Sequence, residues 1–236
     1  MMDNGSNSKL QNTAASRADL LHKHDKGYRA SGNWHFLVYL LGLFAVVLAI
    51  RAFVFEPIRV DGVSMCNTLQ DQEYCFAERA SYWFTSPKQG DIVIVYYSKY
   101  DETYGRARRT YVKRVIATAG QTVKIMPSSD KGNGMAVYVD GVELDESAYS
   151  ANFMIDENRV YTSIQPGAGG ECYSYDVENS TYECTVPEGC VFVMGDHRTD
   201  SHDSRSPDVG PIPLHDVIGR VRIVINSKER SIRTIG

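Results

Sequence analysis

The chain has 236 residues, enough for one large domain or two small ones. Hydrophobic content of 43% and charged content of 23% are ordinary for a folded protein, and a net charge of −4 gives no case for nucleic-acid binding, which usually shows a basic excess. Fifteen tyrosines against two tryptophans, together with short runs of β-branched residues, predict a mainly β fold.

The N-terminal part predicts a tail and a membrane anchor. Residues 1–33 are polar and lack apolar periodicity, which is typical of a disordered tail. Residues 34–55 are largely apolar, and as a helix would span about 33 Å against a hydrocarbon core of roughly 30 Å. A secretory signal peptide is disfavoured because the segment starts late and lacks a small-residue cleavage site. Basic residues precede it, so the positive-inside rule predicts a single-pass cell-membrane protein with a cytoplasmic tail and residues 56–236 extracytoplasmic.

From residue 56 onward, short β-prone runs predict an all-β domain. The expected strands are 57–60, 74–78, 92–97, 110–116, 122–125, 190–194 and 217–225. Residues 98–109 are expected to form a charged loop, and 137–144 a hairpin whose Asp140-Gly141 pair fits a type I′ turn. The polar stretch that follows predicts an irregular inserted lobe, taken as about 126–188.

The five cysteines form no C-x-x-C pair, which disfavours a zinc site or a thioredoxin-like motif. In an oxidising compartment, Cys172, Cys184 and Cys190 are close enough in sequence for one disulfide, whose pairing the sequence does not determine. Because the count is odd, at least one thiol stays unpaired within the monomer.

Residues 60–69 contain the first candidate catalytic residue. Ser64 lies shortly after the expected anchor, which suggests a nucleophile held close to a lipid surface. A serine becomes a useful nucleophile only when a base accepts its proton. His197, His202 and His215 could complete a Ser-His-Asp triad. The acidic loop around the first two also has residue types that bind metals, but its carboxylates alternate with arginines that pair with them, so no metal is expected.

Lys113 is the alternative base. Strand alternation places Tyr111, Lys113 and Val115 on one face of their β-prone run. On a buried face, the lysine would lose hydration, its pKa would fall, and the neutral amine would become available. Periodicity alone favours the other interpretation, in which Lys113 is a solvated lysine on an edge strand.

Four motifs, in this order, resemble those of the bacterial type I signal peptidases, which are membrane-bound Ser-Lys serine proteases. The motifs are Gly62-x-Ser64-Met65-x-x-Thr68-Leu69, Gly90-Asp91-Ile92-Val93, Tyr111-Val112-Lys113-Arg114-Val115 with Gly120 downstream, and Gly195-Asp196-x-Arg198-x-x-Ser201-x-Asp203-Ser204-Arg205. The resemblance extends over residues 51–225. It favours Lys113 as the base over the solvated edge-strand lysine that periodicity alone indicates.

The resemblance implies that Ser64 is the nucleophile, that Lys113 is the general base and that no cofactor is used. The Ser64 backbone N–H would contribute to the oxyanion hole. Some family members add a serine hydroxyl to this hole, and this chain has Gly62 at the corresponding position. The supporting residues implied are Ser201, which orients the lysine amine, the pair Asp203 and Arg205, and the structural Arg114.

The resemblance also implies substrates and partners. The substrates would be secretory preproteins, delivered at the lipid surface by the secretion machinery and cleaved after small-x-small motifs such as Ala-x-Ala; nucleic acid has no role. The shallow substrate pocket is expected to be lined by Ile58, Val60, Met65, Leu69, Tyr111 and Val112.

One departure bears on activity, because the family usually has proline where this chain has Asn67. The turn after the nucleophile therefore loses a fixed φ, although asparagine tolerates turn geometry. Two alternatives stay open: a protease for a dedicated substrate, and a catalytically weak membrane-tethered domain that still binds signal peptides. A self-cleaving repressor of the LexA type is disfavoured by the anchor and by the lack of a DNA-binding module.

Overall fold

The computed structural model describes residues 34–50, 55–107, 109–128, 134–150, 172–176, 178–226 and 228–235. The chain divides into two compact units, Met1–Ala52 and Phe53–Gly236. In the first unit, residues 34–50 form helix α1, and every residue of this helix is exposed. No helix within the described ranges combines the length and the apolar character needed to cross a bilayer. The expected tail, 1–33, and residues 51–54 of the expected anchor lie outside the described residues.

The second unit is built on an antiparallel sheet of eight strands. These are β1 Phe55–Arg59, β2 Tyr74–Glu78, β3 Ile92–Tyr96, β4 Thr110–Thr118, β10 Cys190–Met194, β11 Ile212–Pro213, β12 Val217–Asn226 and β13 Ser231–Thr234. Their order across the sheet is β1-β2-β12-β3-β4-β10-β11, and β13 pairs with the second half of β12. The mainly β fold is thus confirmed, and six expected strands lie within two residues of their observed bounds.

A second antiparallel sheet has five strands. They are β5 Thr122–Ser128, β6 Gly134–Val139, β7 Val142–Glu143, β8 Tyr173–Asp176 and β9 Thr181–Thr185, in the order β7-β6-β5-β9-β8. The expected hairpin is confirmed, since Asp140 and Gly141 both have positive φ values, 53° and 81°, as a type I′ turn requires.

The expectation of an irregular lobe over 126–188 was wrong for the described strands of this second sheet. Strand β9 pairs with β5, and its buried Tyr182 and Cys184 pack in one core cluster with Val123 and Ile125. The sequence around β8 and β9 is polar and does not predict strands. Strand β9 gains its buried face only by pairing with β5. Residues 129–133, 151–171 and 177 of the lobe lie outside the described residues.

Strand β3 lies in the middle of the eight-stranded sheet, with both of its faces buried. Ile92 and Ile94 pack in the cluster beneath the loop that joins β1 to β2, while Val93 and Val95 pack in a cluster on the other face. Burial on both faces explains why β3 is a continuous apolar run. Strand β4 pairs with β3 along its first half, which places it next to the middle of the sheet.

The charged segment expected to be a loop contains a six-residue helix, α2 Ser98–Thr103. Buried Asp101 organises this segment, because its backbone carbonyl accepts a hydrogen bond from the Arg106 amide and its carboxylate accepts one from the Arg109 amide. Two short 3-10 helices, Ala80–Trp83 and Leu214–Asp216, complete the described secondary structure.

All five cysteines are free thiols in this structure, so the disulfide that the spacing allowed is not formed. Cys172 and Cys184 are nevertheless hydrogen-bonded to each other. This contact lowers the pKa of the partly buried Cys172 thiol and raises the pKa of the buried Cys184 thiol.

Candidate active site

The loop between β1 and β2, residues 60–73, presents Ser64 at the start of a helical turn. The Thr68 and Leu69 amides donate to the Met65 carbonyl at 2.8 and 2.7 Å, and the Cys66 amide donates to the Val63 carbonyl at 3.0 Å. Met65 and Leu69 are fully buried in the core cluster beneath the loop. Their burial anchors the turn and leaves Ser64 at its outer side.

Ser64 meets Lys113 directly. Nζ of Lys113, on β4, lies 2.6 Å from Oγ of Ser64, a hydrogen-bonding distance. The lysine side chain is enclosed, with only 2% of the residue exposed. Burial lowers the pKa of Lys113 to about 8, an effect to which the Arg205 guanidinium adds and which the Asp203 carboxylate opposes. Lys113 is therefore a buried amine in contact with a hydroxyl, and not a solvated lysine on an edge strand.

The histidines that could have completed a triad contact other groups. His202 lies 3.2 Å from both Asp208 and Ser206, through its two ring nitrogens. His215 is largely exposed beside Asp216. His197 contacts the nucleophile through its backbone, since its amide donates to the Ser64 carbonyl at 3.0 Å. Among the described residues, Lys113 is the side chain hydrogen-bonded to Ser64 Oγ.

Asp203 and Arg205 form a buried ion pair behind the lysine. The guanidinium donates from Nε to Oδ1 at 2.8 Å and from Nη2 to Oδ2 at 2.9 Å. The Gly195 amide donates to the same carboxylate at 3.0 Å. Burial alone would raise the pKa of Asp203, but the Arg205 guanidinium outweighs it and holds this pKa well below its usual range. Asp203 is thus a permanent negative charge near the Lys113 amine.

Ser201 lies beside this pair and close to the nucleophile. Its Oγ is buried and makes no hydrogen bond with Lys113 in the described part of the chain, although it contributes to lowering the pKa of Asp203. Gly195 separates the two serines so tightly that a Cβ there would lie 2.3 Å from Ser201 Oγ and 2.5 Å from the Ser64 carbonyl oxygen. Only glycine fits this position without displacing the groups around it.

The motif residue Asp196, which the sequence did not single out, is at the centre of a second network. Arg114 donates to both of its carboxylate oxygens, at 2.8 and 2.7 Å, and the Thr68 hydroxyl donates to Oδ2 at 2.5 Å. Asp196 is completely buried. Arg114 lies next to Lys113 on β4 but points to the other face, so the two residues reach the nucleophile loop from different sides.

The backbone donors expected at the oxyanion hole differ in their availability. The Gly62 amide donates to the Asp71 carboxylate at 3.0 Å, whereas the Ser64 amide has no acceptor among the described residues. Gly62 has a φ of 108°, a conformation strained for any residue with a side chain. This backbone conformation gives a physical reason for glycine at this position.

The residues expected to line the substrate pocket are mainly core residues. Val60, Met65, Leu69 and Val112 form part of one buried cluster, against which Ile58 packs. Tyr111 belongs to another cluster, where its ring stacks on Tyr97 with centroids 4.3 Å apart. Met65 and Leu69 offer no open surface in this structure, so the placement differs from the expected pocket wall.

No group of three or more candidate metal ligands occurs among the described residues. Asp196 and Asp203, the buried carboxylates of the last motif, are each paired with an arginine.

Residues outside the expected site complete its surroundings. Glu146, from the segment after β7, forms an ion pair with Arg198. The ring of Tyr149, from the same segment, packs against the Arg114 guanidinium. Arg233, from β13, donates to the Thr68 carbonyl at 2.9 Å in the nucleophile loop. Their sequence contexts are polar and without periodicity, so no sequence signal marks them.

Comparison with known proteins identifies the family. The family model described as "Signal peptidase, peptidase S26" matches residues 33–226. The chain belongs to this family. A protein named "Signal peptidase I" from Bacillus licheniformis is 36% identical over 166 residues, covering 70% of this chain and 74% of the relative. "Signal peptidase I T" from Bacillus subtilis (strain 168) is 32% identical over 182 residues, covering 76% and 79%.

A third relative comes from another organism. "Probable signal peptidase I-1" from Synechocystis sp. is 31% identical over 194 residues and covers 79% of this chain and 81% of its own length. Ser64, Lys113, Asp203 and Arg205 all lie within the matched residues, but Arg233 lies beyond them.

Proposed function

We propose that this chain is a signal peptidase I, a serine endopeptidase that removes N-terminal signal peptides from secreted preproteins after small-x-small motifs. The observation that carries the proposal is the 2.6 Å contact between Lys113 Nζ and Ser64 Oγ, with the amine buried and its pKa lowered to about 8. Membership of the signal peptidase family and the names of the relatives support the same activity.

In the mechanism we propose, neutral Lys113 accepts the Ser64 proton as Oγ attacks the scissile carbonyl carbon. The Ser64 amide stabilises the negative charge that develops on the carbonyl oxygen. The protonated lysine then donates its proton to the leaving amine, which breaks the peptide bond and leaves an ester on Ser64. Lys113 next activates a water molecule to hydrolyse that ester, releasing the signal peptide and restoring the serine.

The supporting residues hold these groups in place. The Asp203–Arg205 ion pair keeps a fixed charge distribution next to the Lys113 amine. Ser201 supplies the hydroxyl proposed to orient this amine when the substrate is bound. Arg114 fixes the far side of the nucleophile loop through Asp196 and Thr68. Of the residues expected to line the substrate pocket, Ile58 and Tyr111 are partly exposed and stay proposed as part of its wall, whereas the buried Val60, Met65, Leu69 and Val112 belong to the core.

The proposal includes a membrane location. The apolar segment 34–55 would anchor the chain, with residues 1–33 in the cytoplasm and the catalytic domain, 56–236, outside. An anchor would keep Ser64 close to the lipid, where signal peptides leave the secretion machinery. Alkaline extraction of membranes expressing the chain, followed by protease treatment from each side, tests this topology. Release into the alkaline supernatant would contradict it.

Cleavage of a model preprotein by the purified full chain in detergent tests the activity. The wild-type chain should cut after an Ala-x-Ala motif, and replacing the last alanine of the substrate by a bulky residue should stop cleavage. Ser64→Ala and Lys113→Ala chains that fold normally should both be inactive. A folded wild-type chain that binds the preprotein without cutting it would instead favour the binding-domain alternative.

A further inference from the structure

Residues 145–150, here called the brace segment, contact the active site at three points. The side-chain amide of Asn67 donates a hydrogen bond to the backbone carbonyl of Tyr149 at 2.5 Å. The Tyr149 ring packs against the Arg114 guanidinium, whose carbon lies 3.9 Å from the ring centroid. Glu146 forms an ion pair with Arg198. The brace segment, which follows β7 of the second sheet, therefore contacts the nucleophile loop and two arginines beside it.

The brace segment is itself held firmly. Glu146 and Arg198 are both buried, and a buried ion pair is costly to separate because each charge would be left without a partner. Arg198 also donates to the Gly195 carbonyl at 3.0 Å. Within the segment, the Tyr149 and Ser150 amides donate to the Glu146 carbonyl at 3.1 and 2.8 Å. The Tyr149 carbonyl is consequently a fixed acceptor.

Asn67 occupies the helical turn that follows Ser64. Its φ is not positive, and within the described residues its own amide donates to no carbonyl. A proline could occupy the position without losing a hydrogen bond, as the motif resemblance implies that it does in related chains. Asparagine lacks the ring that would fix φ, so the turn needs another restraint if Ser64 is to stay in place.

We propose that the Asn67–Tyr149 hydrogen bond supplies this restraint and makes Asn67 a positioning residue for the nucleophile loop. A tertiary contact with the brace segment replaces the local restraint of proline. Asn67 does not contact Lys113 or the proposed oxyanion donor, so it acts only through the conformation of the turn. The predicted effect on cleavage rests on the proposed function, whereas the effect on the loop conformation does not.

The test compares Asn67→Ala, Asn67→Pro and Gln70→Ala in the full-length chain. Gln70 is the matched control, because it is an exposed amide residue of the same loop whose side chain donates a long hydrogen bond of 3.4 Å to the Cys66 carbonyl and none to the brace segment as described. Two readouts are measured: steady-state cleavage of the model preprotein, and amide hydrogen exchange of Cys66, Thr68 and Leu69, whose amides close the turn.

Asn67→Ala should lower kcat about three- to tenfold with little change in KM, the loss expected for one hydrogen bond, and should speed exchange of the three amides. Its pH midpoint should equal that of the wild type, since Lys113 is untouched. Asn67→Pro should restore both kcat and slow exchange, and Gln70→Ala should match the wild type. The proposal is overturned if Asn67→Ala exchanges as slowly as Gln70→Ala, or if Asn67→Pro is as impaired as Asn67→Ala. A wild-type chain without activity would refute the proposed function, and exchange would still decide the role of Asn67.

Discussion

Lys113 and Arg114 are neighbours on β4 whose side chains reach the nucleophile loop from opposite faces of the sheet. Lys113 Nζ contacts Ser64 Oγ at 2.6 Å, and Arg114 binds Asp196, which in turn accepts a hydrogen bond from Thr68. Strand alternation thus separates an amine that can exchange a proton from a guanidinium that remains charged. One strand supplies both the proposed base and the main support of the loop that carries the nucleophile.

The pH profile of cleavage should reflect Lys113. The base must be neutral, so kcat/KM should rise with pH through a midpoint near 8 and fall about tenfold for each pH unit below it. Peptide cleavage measured from pH 6 to 10 checks this. A plateau that extends to pH 6 would contradict a lysine base. Lys113→Ala should remove the activity while leaving the circular dichroism spectrum unchanged.

Stability should depend on the same group. The folded pKa of Lys113, about 8, lies below the usual value of 10.5, so the unfolded chain binds more protons between these values. The contribution of Lys113 to the free energy of unfolding should therefore increase with pH from about 8 to about 10.5. Lys113→Met, which has no titrating group, should lack this increase in chemical denaturation measured across that range. Equal pH dependence in both chains would show that Lys113 is not desolvated.

Asp203 should affect the pKa of Lys113. Its negative charge raises the pKa of Lys113 and thereby opposes burial. Asp203→Asn should consequently shift the midpoint of the pH profile to a lower value in the fraction that folds. Asp208→Asn is the control, because Asp208 is partly exposed and pairs with His202. A midpoint that stays in place in Asp203→Asn would mean that this carboxylate is not coupled to the amine.

Arg114 should be important for stability as well as for activity. Arg114→Ala would leave the Asp196 carboxylate buried without its ion-pair partner, and breaking a buried pair in this way costs about 3–5 kcal/mol. The partly exposed Lys124–Glu183 pair, 2.9 Å apart, is the control, and Lys124→Ala should cost less than about 1 kcal/mol. Denaturant unfolding of the two variants measures both values. Similar losses would contradict a special role for Arg114.

Arg233 should stabilise the nucleophile loop from a position beyond the matched family residues. It binds the buried carboxylate of Glu73 and donates to the Thr68 carbonyl. Arg233→Ala should cost about 1–3 kcal/mol because Glu73 loses its charged partner, and should also lower kcat. Lys228, which lines a polar cavity of about 470 Å³ together with Glu73 and Arg233, provides the control, and Lys228→Ala should leave unfolding and cleavage unchanged. Unfolding curves and kcat, compared for both variants, decide the outcome.

Elements that depend on local sequence patterns were predicted well, and elements that depend on contacts between distant residues were not. Strands such as β2 and β10 have strong local patterns, and both were predicted at their observed bounds. The Asp140-Gly141 turn was equally clear, because positive φ values at two successive positions demand particular residues. Strands β8, β9 and β13 were missed, since their sequences are polar and their apolar faces are defined only by the partners on which they pack.

The family motifs, their order and the residue types that can carry Ser-Lys chemistry can all be read from the amino-acid sequence. The burial of Lys113 cannot, because periodicity assigns a side chain to a face of a strand but does not say what covers that face. The same holds for Asp196, Tyr149 and Arg233, whose contacts with the nucleophile loop join residues far apart in the chain. Burial and long-range pairing arise from packing, and packing has no signature in a local pattern.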